Sequence, residues 1–348
     1  MPRARKTNPD APKWATWSSD RLMQLRLCDL GVELADCPDL LAHLDQLHDE
    51  LARRGIKRFK PHAWFSSEWF SPDGIPGIAI PFYLAHPRLA KLEKAQMLTV
   101  EGGTRRTCLR ILRHEAGHTL CSAYRLHRRQ KFRELFGSVA EPYPEAYKPD
   151  PASRDFVTHL DAWYAQAHPA EDFAETFAVW LGQPARWRRT YAGWPALRKL
   201  EYLDDLIHEI GDKPPPIRTR RKVEPLHQLA TTLEQHYQRR RWFYADSFPD
   251  FYDRDLLKIF SADADFRLRP TAASFLRKNR PELRNDVARW TGAHAYSIDQ
   301  VLRDMIDRCK ELKLRVAVPE AQAKRDARMM LTVQTMNYLH AGHHPVAL

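Results

Sequence analysis

Residues 104–127 read TRRTCLRILRHEAGHTLCSAYRLH. Leu109, Leu112, Ala116 and Leu120 recur at helical spacing and make one apolar stripe, so the spacing predicts a long helix over 104–127, with a continuation over 131–136. Gly117 sits in the middle of it. A glycine there costs about 1 kcal/mol relative to alanine, which points to a neighbouring element that has to come close.

Upstream, residues 19–30 and 39–54 read as helices closed by Gly31 and Gly55, the second with Leu40, Leu44, Leu47 and Leu51 on one stripe. Residues 60–85 (KPHAWFSSEWFSPDGIPGIAIPFYLA) are aromatic, β-branched and broken by Pro-Asp-Gly, the pattern of a small β-sheet or hairpin. Downstream, 140–153 (AEPYPEAYKPDPAS) reads as a loop, 169–181 as a helix with proline at its tolerated first position, and 195–210 as a helix ended by Gly211. Residues 212–225 (DKPPPIRTRRKVEP) read as an extended linker, since three prolines followed by four basic residues in five do not continue a helix. Beyond it, helical patterns cover 226–244, 297–312 and 319–339, with Ser297 and Gln300 placed as a capping box.

The chain has 348 residues, 43% of them apolar, enough for one large domain or two ordinary ones. Its first residues are basic with no apolar stretch behind them, and no run approaches the roughly 18 apolar residues of a membrane span. The five cysteines, Cys28, Cys37, Cys108, Cys121 and Cys309, are odd in number and contain no CxxC, which argues against a disulfide framework and for a reducing cytoplasm. Net charge is +11, and the segment from Asp212 onward, with 25 Lys/Arg against 17 Asp/Glu, carries +8 of it. Solubility accounts for such an excess, and a polyanionic partner is the alternative.

Within the central helix, His114-Glu115-Ala116-Gly117-His118 is an HExxH sequence. Residues i and i+4 of a helix lie about 40° apart around the axis and about 6 Å apart along it. Two imidazoles so placed converge on one tetrahedral metal ion, with the glutamate between them directed at its water. A third ligand is required. The metzincin pattern would need glycine and histidine three and six residues after the second ligand; Cys121 and Tyr124 stand there instead. Some fifty residues on, His168-Pro169-Ala170-Glu171-Asp172-Phe173-Ala174-Glu175 supplies an ExxxE pair on a predicted helix. One of its carboxylates can bind zinc while the other accepts a hydrogen bond from a ligand imidazole. Glu175, Asp172 and His168 stay open as ligands beside Glu171.

HEAGH followed by AEDFAETFA resembles the gluzincin-type zinc-binding metallopeptidases of bacteria and, more distantly, the catalytic domain of anthrax lethal factor. The resemblance spans roughly residues 40–211. It implies a zincin-like metallopeptidase domain with a small β-sheet over 19–211. Composition and helical pattern add a flexible basic segment over 1–18, the linker 212–225 and a helical C-terminal domain over 226–348, so the expected class is α+β, mainly α. The resemblance implies one Zn2+ per chain held by His114, His118 and Glu171, with Glu175 supporting a ligand histidine. Tyr164, seven residues before Glu171, takes the place of a tyrosine that assists catalysis.

The expected activity is hydrolysis of amide bonds in a peptide or protein, with Glu115 as general base. The alternatives are a small-molecule amidase, a DNA-associated zinc protease that uses the basic C-terminal half, and a non-catalytic zinc-stabilised interaction protein. An intact Glu115 speaks against the last, because a purely structural zinc site has no use for a base.

Overall fold

The structure is a computed structural model and describes residues 12–144, 146–183, 185–244, 253–340 and 344–345. It is 60% helix and 6% strand, so the expected α+β, mainly α class holds. The helices are α1 Ser19–Met23, α2 Pro38–Arg53, α3 Pro87–Met97, α4 Arg105–Tyr124, α5 Gln130–Phe136, α6 Pro169–Gly182, α7 Trp187–Thr190, α8 Leu197–Ile210, α9 Leu233–Tyr244, α10 Asp253–Leu256, α11 Ala272–Thr291, α12 Ala295–Glu311 and α13 Glu320–His340. Strands pair two by two: β1 His62–Ser66 with β2 Gly77–Pro81, β3 Ala146–Tyr147 with β6 His344–Pro345, and β4 Phe260–Ser261 with β5 Arg315–Val316.

Helix α4 forms the centre. The Thr104 hydroxyl accepts the Thr107 amide at 3.2 Å and the Thr107 hydroxyl accepts the Thr104 amide at 3.1 Å, a reciprocal cap that fixes its start. Arg125, left-handed at φ 52°, ends it, and α5 follows after a short 3-10 turn. On one side α2 contributes its buried leucine stripe, and Arg113 donates to both oxygens of Glu50 at 2.7 Å. On the other side α6 lies so close that a Cβ added at Gly117 would stand 2.8 Å from the Ala174 Cα. This close crossing is the reason for the mid-helix glycine, and it brings the 171–175 turn of α6 level with the 114–118 turn of α4.

Strands β1 and β2 run parallel, from His62 opposite Gly77 to Ser66 opposite Pro81. The sheet is the expected one, but its two strands are not the arms of a hairpin. The Pro-Asp-Gly turn, with Gly74 at φ +70°, instead returns the chain so that the Ala79 amide donates to the Phe70 carbonyl at 2.8 Å. The serine of 297 does not cap α12: His294 does, its Nδ1 accepting the Tyr296 amide at 3.1 Å. Four helices, α3, α7, α10 and α11, have no counterpart in the sequence pattern. In α11 the breaker Pro281 lies inside the helix, which masks the signal.

Apolar burial forms two clusters. The first runs from Trp14 to Tyr237 and holds α2, α4, α6, α8 and α9; the second, Leu256 to Leu331, holds α11, α12 and α13. Residues 212–225, expected as an extended linker, are hydrogen-bonded to the first cluster's elements. The Ile217 amide donates to the Ala123 carbonyl at 3.1 Å, the Trp64 indole N–H to the Val223 carbonyl at 2.9 Å and the Ser66 hydroxyl to the Glu224 carbonyl at 2.7 Å. Leu226, Leu233 and Tyr237 are buried in the same cluster, and the second cluster begins at Leu256. The backbone polar groups of the proline-rich stretch reach donors on β1 and an acceptor on α4, which the composition alone does not reveal. The expected flexible segment 1–18 lies in part outside the described residues. Within its described part Trp14 is buried and donates to the Leu30 carbonyl at 2.8 Å.

Candidate active site

His114 and His118 stand on the face of α4 that meets α6. Their spacing does what helical geometry dictates: the Nε2 atoms of His114 and His118 are 3.1 Å apart. From α6, Glu171 places Oε2 at 3.0 Å from His114 Nε2 and 3.3 Å from His118 Nε2. Among the described residues this is the one group of three His, Cys, Asp or Glu side chains whose donor atoms lie mutually within 4.8 Å.

The other residues of the acidic stretch point elsewhere. Glu175 Oε1 accepts from His114 Nδ1 at 2.7 Å, and Oε2 accepts the Leu160 amide at 2.6 Å. Asp172 receives Lys199 Nζ at 2.6 Å on the α8 side; burial pushes its carboxyl up to about 7 despite that partner. His168 caps α6, its Nδ1 accepting the Ala170 amide at 3.1 Å, so its Nε2 carries the proton and donates to the Glu141 carbonyl at 2.9 Å. Of the four acceptors that the sequence left open, Glu171 alone faces both imidazoles.

Glu115 is buried beside this group, and its Oε2 has no hydrogen-bond partner among the described residues. An orphaned buried carboxylate oxygen is costly, and a site that keeps one holds it for a ligand or a proton. The Ser71 hydroxyl donates to the Glu115 carbonyl at 3.3 Å and so ties the turn between β1 and β2 to this part of α4.

Tyr164 lies in the 3-10 segment 161–166. Its ring centroid is 5.8 Å from that of His114. Ala162 and Trp163, just before it, are both left-handed, at φ 59° and 54°, which costs roughly 1–2 kcal/mol each for residues with a Cβ. The Tyr147 hydroxyl donates to the Ala162 carbonyl at 2.8 Å and holds this bend. Burial, then the negative charge of Glu171, raises the Tyr164 hydroxyl well above its ordinary pKa and keeps it a donor. Asp161 is exposed and paired with Arg110 at 2.9 Å, away from the group.

One residue of the site escaped the sequence reading. Tyr143 donates its hydroxyl to Glu171 Oε1 at 2.7 Å, and its ring stacks on His168 with centroids 3.8 Å apart. It comes from the 140–153 stretch that reads as a bare loop. Its only sequence signal is the pair Tyr143 and Tyr147 among prolines.

The residues fit a zinc ion. With Nδ1–H given to Glu175, neutral His114 presents a lone pair at Nε2, so lone pairs of two imidazoles and a carboxylate face one another within 3.3 Å. Only a proton or a cation relieves that repulsion. Burial alone would lower the His114 pKa, yet its hydrogen bonds to Glu171 and Glu175 hold it well above the usual value. Burial likewise works to raise Glu171, and the His118 charge with the two imidazole contacts holds it well below. The group thus favours positive charge at its centre, and two histidines with a carboxylate are a donor set zinc takes with one position left open.

Two histidines of α4 and a glutamate of α6 thus bring three donors to one point that could hold a metal ion. Residues 89–185, which contain all of them, match the model of the family described as "putative zinc-binding metallo-peptidase", and this bears out the resemblance carried by HEAGH and AEDFAETFA. No curated protein and no solved structure matches the chain.

Proposed function

We propose that the protein is a zinc-dependent peptidase in which His114 Nε2, His118 Nε2 and Glu171 Oε2 hold the ion. Zinc supplies Lewis acidity there, polarising a carbonyl and making water more acidic. Glu115 takes the proton of the attacking water and delivers it to the leaving amine. Glu175 fixes the tautomer and orientation of His114. Tyr143 holds the outer oxygen of Glu171 and leaves Oε2 turned inward. Tyr164 donates a hydrogen bond to the oxygen of the scissile carbonyl as it gains charge. The turn between β1 and β2, tied to Glu115 through Ser71, offers the backbone edge along which an extended peptide lies.

The observation that carries this reading is the buried Oε2 of Glu115, without a hydrogen-bond partner among the described residues, beside the three converging donors. A site that only stapled the fold would bury no such base. The test is Glu115→Gln, which keeps shape and hydrogen bonding but removes the base. Zinc content should match the wild type, while cleavage of a peptide mixture followed by mass spectrometry falls at least about a hundredfold. Equal cleavage by the variant overturns the mechanism, and a zinc-loaded wild type that cleaves no peptide overturns the activity.

A further inference from the structure

At the far end of α4 from the N-cap, two basic segments distant in sequence meet. The chain leaving α2 and the proline-rich stretch 212–225 enclose an open groove of about 430 Å³. Arg58 and Lys60 stand on one rim, Arg218 and Arg220 on the other, and Arg221 and Lys222 continue that second rim. All six are exposed, and none has a carboxylate within ion-pair distance among the described residues. Lys57 alone is paired, to Asp212 at 3.2 Å. The two rims act on a common neighbour, Tyr124. Burial raises the Tyr124 hydroxyl, and the charges of Arg218 and Arg58 work against it. His62, lowered first by burial, is lowered further by Arg220 and Lys222.

The groove is held in place rather than assembled on demand. Ile217 is hydrogen-bonded to α4 through Ala123, the Arg221 carbonyl lies 3.1 Å from His62 Nε2, and Val223 receives the Trp64 indole. Six cations without an ion-pair partner among the described residues repel one another, and the backbone that carries them is held in place before any ligand arrives. We propose that this groove binds the phosphate backbone of double-stranded nucleic acid.

The choice of ligand follows from the charge density. A duplex presents one negative charge per about 1.7 Å of axis. An extended peptide offers at most one carboxylate per residue and turns alternate side chains away. Four of the six cations are arginines, whose planar forks match phosphate oxygens. Of the two rings lining the groove, Phe59 is buried, and His62 is stacked on Trp64 with both ring nitrogens 3.1 Å from backbone carbonyls, so unstacked bases find little platform, and this favours a duplex over a single strand. The chain's net charge of +11 adds long-range attraction of the same sign.

The experiment titrates the full-length protein into a fluorescein-labelled DNA duplex of about 20 base pairs and follows anisotropy between about 50 and 200 mM salt. An RNA duplex of the same length separates the two sources of backbone. Binding should fall steeply with salt. Arg220→Glu combined with Arg221→Glu should weaken it at least about tenfold and reduce the slope of log K against log salt by about 2, the loss of two phosphate contacts. Lys60→Glu, on the opposite rim, should weaken binding in the same direction, and it keeps the test open if the double variant fails to fold. Zinc content and cleavage by both variants should equal the wild type. The proposal is overturned by no binding at the lowest salt, by unchanged binding in the variants, by tighter binding of the single strand, or by polyglutamate competing as well as the duplex does.

Discussion

Glu175 is completely buried and divides its two oxygens between His114 Nδ1, at 2.7 Å, and the Leu160 amide, at 2.6 Å. It therefore orients a ligand from behind while Glu171, one turn earlier, faces the centre of the site. The two carboxylates should separate cleanly in a chelator titration. Glu175→Ala should weaken zinc affinity by about 10–100-fold and leave the ion measurable. Glu171→Ala, which leaves two imidazoles, should be essentially free of zinc under the same conditions. The reverse order would exchange the two roles.

The two tyrosines near the ion should differ in kind. Tyr143 touches Glu171, so Tyr143→Phe should make zinc easier to strip, about tenfold at the low end of what such outer partners cost. Tyr164 lies against His114 without touching Glu171 in this way, so Tyr164→Phe should keep its zinc and lose about 10²–10³ in kcat, the scale of one oxyanion donor. Zinc-replete Tyr143→Phe with the larger loss in kcat would reverse the assignment.

Gly117→Ala tests the crossing of α4 and α6. Alanine is the better helix former by about 1 kcal/mol, yet its methyl group would lie 2.8 Å from the Ala174 Cα, and backbone cannot swing aside as a side chain does. Overpacking of this kind costs typically about 1–3 kcal/mol, and relief by sliding α6 outward carries Glu171 away from the imidazoles. The variant should unfold at lower denaturant and hold zinc more weakly. A more stable variant with full zinc would contradict the crossing.

Helix α9 brings a pH dependence. His236 is buried, and desolvation, then the charges of Arg240 and Arg239, lowers its pKa to about 3 from 6.5. Because the folded value lies below the unfolded one, the penalty is absent above about pH 6.5 and grows as pH falls towards 3. His236→Gln should lose less melting temperature than the wild type between about pH 7 and pH 4. Parallel curves would show that His236 carries no such penalty.

Local pattern was sufficient where the signal is periodic. The helix over 104–127, the ExxxE helix and the leucine stripe of α2 follow from 3.6-residue spacing alone, and HExxH names its own partners because i and i+4 share a face. The choice among Glu171, Asp172, Glu175 and His168 did not follow from spacing, because three of the four are held by groups far away in sequence: Lys199, Leu160 and Glu141. Tyr143 was illegible for the same reason, since its role rests on a contact across 28 residues made by an irregular loop. Residues 212–225 read as a linker because proline and charge repel regular structure. Nothing in that composition says that β1 and α4 offer partners for its backbone.

Anomalous diffraction at the zinc edge from crystals of the zinc-loaded protein tests the central claim most directly. One peak per chain is expected, bonded to His114 Nε2, His118 Nε2 and Glu171 Oε2 at about 2.0–2.2 Å, with Glu175 outside bonding distance. A peak bonded to Glu175 or Asp172 in place of Glu171, or no peak between α4 and α6, would contradict it.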